Sequence, residues 1–104
     1  MEDLDYMAWT WCISSKPDAP GAADQAEQVR ILAGAYGLDD AFRSRLIDAA
    51  LDRQMRNARW WRHHLMHPSP HVADDHEIAE RIRWSEREHA YTLANRRTFN
   101  AVLD

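Results

Sequence analysis

Along the first stretch of this chain, Leu4, Met7, Ala8, Trp11 and Cys12 fall at i, i+3, i+4, i+7 and i+8. That repeat lines one face of an α-helix and predicts one over 3–14. Tyr6, Trp9 and Ile13 make the opposite side apolar too, so this helix calls for neighbours on more than one side. Asp3 stands where an N-cap belongs, its carboxylate placed to accept from free backbone N–H groups of the first turn. The pattern stops at "SSKPDAPG" (14–21), where two prolines, a glycine and short polar residues predict a loop. A second helix is expected over 22–36, with Ala26, Val29, Leu32, Ala33 and Tyr36 facing inward and Gly37 as a left-handed C-terminal cap.

A third, longer helix is expected over 40–66, capped by Asp39 or Asp40. Phe42, Leu46, Ala49, Ala50, Leu51 and Met55 form its stripe, and its arginines fall largely outside it. "HPSPH" breaks the pattern and predicts a Pro-rich turn over 67–72. The fourth helix is expected over 74–103, with Ile78, Ile82, His89, Leu93, Phe99 and Leu103 on its face, interrupted by Arg96. No repeat and no strand pattern occurs. The fold class is therefore all-α, a four-helix array in one domain over 1–104.

Length and composition sharpen this picture in a few places. The chain has 104 residues, enough for one domain and too few for two. Its three Gly and four Pro argue against a turn-rich β fold, while five Trp is an unusual load for this size. Charge is uneven: residues 1–40 carry eight acids and two bases, and residues 41–66 carry two acids and six bases. No basic tract is long enough to point to nucleic acid on its own, and the overall charge of −4 argues against that partner. Cys12 is the only cysteine, so no disulfide can form within the chain, and a reducing, cytoplasmic setting is expected. No leader and no apolar run of about 18 residues suggests secretion or a membrane span.

Candidate chemistry is sparse. His63 and His67 lie one helical turn apart, and His71 follows, a spacing that lets imidazoles share a divalent metal. No Glu follows the first His as a zinc-protease motif requires, so a polar helix end carrying surface histidines is the plainer reading. "RWWRHH" interleaves Arg with Trp, a pattern able to stack bases and hold phosphates. Trp60, Trp61 and Trp84 packed between helices, with Arg stems along their edges, is the stronger reading. Ser85 and His89 are one turn apart, yet no oxyanion donor or orienting acid accompanies them. There is no glycine-rich phosphate loop and no Gly-x-Ser-x-Gly elbow. By motif, the chain holds no complete active site and no cofactor site.

Two stretches do carry a family pattern. "EDLDYMAWTWCISSKPDAPGAADQAEQVRILAGAYGLDD" holds Asp-Leu-x-Tyr, Trp-x-Trp and Ala-Tyr-Gly-Leu in that order, and "RLIDAALDRQMRNARWW" follows. Together they resemble the region after the magnesium-binding motif in the aminoglycoside phosphotransferase (choline-kinase-like) family, with Asp5 where Ala is commoner. The resemblance covers residues 2–62 and extends over 72–104 in helix length and pattern only. It implies the C-terminal helical part of a kinase-like phosphotransferase, an enzyme that uses ATP and magnesium to phosphorylate small-molecule hydroxyls. The family's His-Gly-Asp-x-x-x-x-Asn loop, its metal-binding Asp and its nucleotide-contacting Lys lie before this region, and these 104 residues contain none of them.

The resemblance therefore implies a substrate-side subdomain, one not competent for phosphoryl transfer alone. It could be the product of a truncated or split gene, or a remnant put to another use. Asp3 carries over only as a helix-capping residue. Asp74, Asp75, Glu77 and Glu80 are the acids placed to receive a cationic substrate, although acids at a helix N-terminus are expected from the helix dipole alone. The alternative is a small helical interaction module that homodimerises, or binds a protein partner, through an aromatic-rich face.

Overall fold

The structure is a computed structural model that describes residues 2–67 and 74–103. Among these residues every regular element is helical, and no strand occurs. The helix α1 spans Glu2–Met7 and runs directly into a π-helical turn over Ala8–Cys12. A π turn closes from i to i+5, so it shifts the buried face by one residue. The buried set steps through Leu4, Ala8, Trp9 and Ile13, in place of the expected Leu4, Met7, Ala8, Trp11 and Cys12. Trp9 turns fully inward and Trp11 swings out to 70% exposure. The helix stops at Cys12, because Ile13 is already extended. Asp3 falls inside the first turn of α1, and its side chain lies outside the described residues.

The helix-free stretch 13–21 is held by side chains from two other helices. Gln25 accepts from the Ser14 N–H (3.0 Å) and donates to the carbonyls of Ser14 (3.0 Å) and Pro20 (2.7 Å). Glu88 accepts from the Ser15 N–H (2.8 Å). Gln25 belongs to α2, Ala22–Ala35, whose buried residues are Gln25, Ala26, Val29 and Ala33. Tyr36, expected on that face, is 58% exposed.

The end of α2 follows the sequence closely. Gly37 has φ +70°, the Gly37 N–H donates to the Gly34 carbonyl (3.0 Å), and the Leu38 N–H donates to that of Ala33 (3.1 Å). This pair of bonds is a Schellman cap, and it returns Leu38 to the core. A Cβ at Gly37 would meet nothing within 4 Å, so its cost is purely conformational. Gly37→Ala is expected to lower stability by about 1–2 kcal/mol. Urea unfolding should show it as a lower midpoint with an unchanged slope.

Two of the expected helices are each interrupted once, so the four expected helices become six α-helices among the described residues. Asp39 caps the short α3, Asp40–Arg43, by accepting from the Phe42 N–H (3.0 Å). Ser44 then donates its hydroxyl to the Ala41 carbonyl, and the Arg45 N–H donates to that of Phe42. These tight i to i−3 bonds end the helix before α4, Leu46–Met66, begins. Phe42 consequently misses the stripe and is 46% exposed. The last helix divides at Asn95 into α5, Asp75–Ala94, and α6, Arg96–Leu103. The Asn95 side-chain amide donates to the Tyr91 carbonyl (2.9 Å), competing with the backbone for that acceptor.

α4 and α5 form an antiparallel hairpin, which is the main packing unit of the molecule. Gln54 meets Thr92, Asn57 meets Ser85, and Trp61 meets Arg81, so one helix climbs as the other descends. α6 turns back onto α2, and α1 lies on α4. Leu4, Trp9, Val29, Leu46, Ile47, Phe99 and Leu103 meet where these pairs converge. On α5 the inward positions include Ser85, Glu88 and Thr92, whereas His89 is half-buried and Leu93 is 54% exposed. The Pro-rich turn expected over 67–72 lies, except for His67, outside the described residues. No described helix is long and apolar enough to cross a membrane.

Candidate functional site: an arginine and aromatic groove

Arg53, Arg56, Asn57, Trp60 and Trp61 stand at i, i+3, i+4, i+7 and i+8 on α4, which places them on one face of that helix. Tyr6 from α1 closes the other side, and together they line a groove of about 480 Å³. The Arg53 guanidinium lies over the Tyr6 ring at 5.0 Å, and that of Arg81 over Trp61 at 4.9 Å. Trp60 is half exposed and meets Trp61 edge to face at 4.6 Å.

Buried polar groups support this face from behind. Asp5 is 3% exposed, with its two carboxylate oxygens 3.9 Å from Arg53 and 3.8 Å from Arg56. Asp52 forms an ion pair with Arg56 on the solvent side, its Oδ2 2.7 Å from Arg56 Nε. Asn57 donates its amide to Ser85 Oγ (2.8 Å), and that hydroxyl donates in turn to the Arg81 carbonyl (2.9 Å). The Ser85 hydroxyl is therefore committed to joining two helices and is not poised beside His89 as a nucleophile. Further along the hairpin, Gln54 donates to Thr92 Oγ1 at 2.9 Å, both residues being fully buried.

Among the described residues, none of the acids or histidines singled out in the sequence lines this groove. Asp74 caps α5 by accepting from the Glu77 N–H at 2.9 Å, and Asp75 and Glu77 occupy its first turn. This is the arrangement the helix dipole favours. Glu80 pairs with Arg83, whose hydrogen bond and charge hold the Glu80 carboxyl below its ordinary range. The His63 and His67 rings lie 4.6 Å apart, tilted by 37°, while His64 lies on Trp60 at 3.8 Å with its Nδ1 2.9 Å from the Trp60 carbonyl oxygen. His71 lies outside the described residues. Among the described residues, no three His, Cys, Asp or Glu side chains gather closely enough to hold a metal ion. Cys12 is half-buried, and burial pushes its thiol above the ordinary range, away from the thiolate form.

The three tryptophans expected between helices separate into two kinds. Trp84 is half-buried and stacks on Trp9 at 4.6 Å with its ring nearly parallel, packed against the core. Trp60 stays at the surface and shapes the groove. Sequence patterning contains this groove as a second, polar-aromatic stripe on α4, at the same spacing as the apolar one. Tyr6 could be placed there only once the packing of α1 on α4 was known. Comparison with protein-family models, curated proteins and solved structures gives no match.

Proposed function

We propose that this chain is the C-terminal, substrate-side helical subdomain of a small-molecule kinase of the aminoglycoside-phosphotransferase kind, and that it transfers no phosphate alone. The observation that carries this reading is the division of labour within the Trp-x-Trp element. Trp9 is wholly buried in the core, while Trp11 stands 70% exposed one turn beyond Met7. The Met7 sulfur in turn accepts from the hydroxyl of the exposed Tyr36, at 3.7 Å. Large aromatic rings exposed in one region mark a surface that binds something, and here the neighbour is the remainder of a kinase. The other resembling elements also have structural roles: Leu4 enters the core, and Ala-Tyr-Gly-Leu builds the cap that closes α2. Phosphoryl transfer requires metal and cationic groups arrayed on the phosphate, and these 104 residues hold no catalytic loop to array them.

The test is reconstitution. With ATP, magnesium and a panel of aminoglycosides, the chain alone should transfer no phosphate. Turnover should appear when it is combined with a lobe, encoded beside it, that supplies a His-Gly-Asp-x-x-x-x-Asn loop. Turnover by the chain alone, or none with the lobe present, would overturn the proposal.

The second reading is an interaction module that pairs with its own copy. The exposure of Trp11 and Tyr36 favours it equally, since a homodimer is the simplest cover for an apolar surface. Light scattering at micromolar concentration separates the two: a dimer supports self-association, and a stable monomer removes it.

A further inference from the structure

We propose that His63 and His67, one turn apart at the end of α4, form a two-imidazole chelate for nickel(II) or copper(II), with water in the ion's remaining positions. His63 lies in the last turn of the helix, and His67 is its C-cap. The His67 N–H donates to the His63 carbonyl at 2.9 Å, which keeps that turn closed and holds both residues on one face. Both side chains are exposed. Among the described residues neither imidazole hydrogen-bonds or pairs with a carboxylate.

The separation of the two rings selects the metal. An imidazole nitrogen binds such ions at about 2.0–2.1 Å, and adding the nitrogen-to-centre distance of the ring puts each ring centre about 3.2 Å from the ion. The His63 and His67 ring centres are 4.6 Å apart. At that separation the two rings meet a shared ion at close to a right angle. This is the angle between neighbouring ligands in square and octahedral sites, which suit copper(II) and nickel(II). A tetrahedral zinc site would hold the centres wider, about 5.2 Å apart. The rings are tilted by 37°. Rotation about the last side-chain torsion, which is broad for histidine, turns a nitrogen of each toward the ion.

The position also favours a cation. The last carbonyls of α4 form the negative end of the helix dipole, which stabilises positive charge within the final turn. Arg62, beside His63, is balanced by Glu86 at 2.7 Å. Arg59, one turn before His63, opposes the ion, but it is exposed and salt screens its repulsion. His64 stays out of the chelate, because its ring lies on Trp60 with Nδ1 2.9 Å from the Trp60 carbonyl oxygen. Two protein ligands are also consistent with the absence of any group of three among the described residues. The proposal does not rest on the kinase reading, since the magnesium used in phosphoryl transfer takes oxygen ligands and not imidazole.

The test titrates nickel(II) into the untagged full chain by calorimetry, with zinc(II) as the comparison. One nickel site per chain should saturate, and it should be tighter than the zinc site. His63→Ala and His67→Ala should each weaken nickel by about tenfold or more, as a two-point contact becomes a single one. His64→Ala and His71→Ala should bind nickel as the parent does. His63 and His67 are exposed, so the circular dichroism spectra of their variants should match the parent. Saturating nickel should raise the urea midpoint of the parent and leave that of His63→Ala unchanged, because only the folded turn presents both rings together. No saturable binding at millimolar nickel, parent affinity in His63→Ala and His67→Ala, or tighter binding of zinc than of nickel would overturn the proposal. A loss in His64→Ala or His71→Ala as large as that in His63→Ala would also overturn it, and would assign a third ligand.

Discussion

Trp9→Ala is expected to remove about 3–5 kcal/mol of stability, the range for deleting a large aromatic side chain from a packed core. Trp9 is fully buried, lies nearly parallel to Trp84 at 4.6 Å, and meets Tyr6 edge to face at 5.7 Å. It joins the π turn to α5 and stands beside the groove residue Tyr6, so its loss opens a cavity where several helices converge. A domain of this length has only about 5–15 kcal/mol in total, so the variant should be substantially unfolded at moderate urea. Trp9→Phe should cost much less, about 1–2 kcal/mol. It keeps most of the ring, and the buried Trp9 N–H finds no hydrogen-bond partner among the described residues, so no bond is lost. Equal losses in the two variants would show that the ring stack contributes little.

The second large effect is expected at Glu88. Its carboxylate is 2% exposed, yet it accepts from the backbone N–H of Ser15 at 2.8 Å and from Trp84 Nε1 at 3.1 Å. Two half-buried donors would lose their acceptor in Glu88→Ala, and the loop 13–21 would lose its tether to α5. Each bond to a charged acceptor is worth roughly 1.5–3 kcal/mol. The expected total is about 3 kcal/mol, allowing for water reaching the loop side. Glu88→Gln keeps an oxygen for one of the two donors and turns an NH2 toward the other, so it should cost about half as much or more. Urea midpoints measure both variants, and amide hydrogen exchange at Ser15 should accelerate in Glu88→Ala before the rest of the molecule opens.

Glu88 also shows where sequence reading reaches its limit. On α5 the apolar repeat marks Ile78 and Ile82 correctly, then selects His89 and Leu93, whereas the buried positions are Ser85, Glu88 and Thr92. Polar residues read as outward-facing unless a partner is visible, and their partners Asn57, Ser15 and Gln54 are 28, 73 and 38 residues away. The π turn is hidden for a related reason. Its i to i+5 closure has no residue signature, so the α-helical period puts Trp11 on the main inward face and Trp9 on the second apolar side, whereas the structure buries Trp9 and exposes Trp11. Gly37 is the contrary case: left-handed backbone favours glycine by a simple steric rule, and the cap was readable from one residue. The interruptions at Ser44 and Asn95 depend on short local hydrogen bonds that compete only narrowly with a continuing helix. Residues 53, 56, 57, 60 and 61 of the groove repeat at helical spacing, but that spacing alone did not reveal which helix would complete it.

Folding and function are linked through α1. Its Asp5 meets the two groove arginines, while in the π turn that follows it Trp9 enters the core and Trp11 stands at the surface that the proposed function assigns to a kinase's other lobe. The central claim is that this surface belongs inside a larger kinase. The coding sequence preceding Met1 tests it most directly. The account predicts a reading frame there, in the same gene or an adjacent one, encoding His-Gly-Asp-x-x-x-x-Asn followed by a metal-binding Asp. Absence of any such frame beside this one would contradict it.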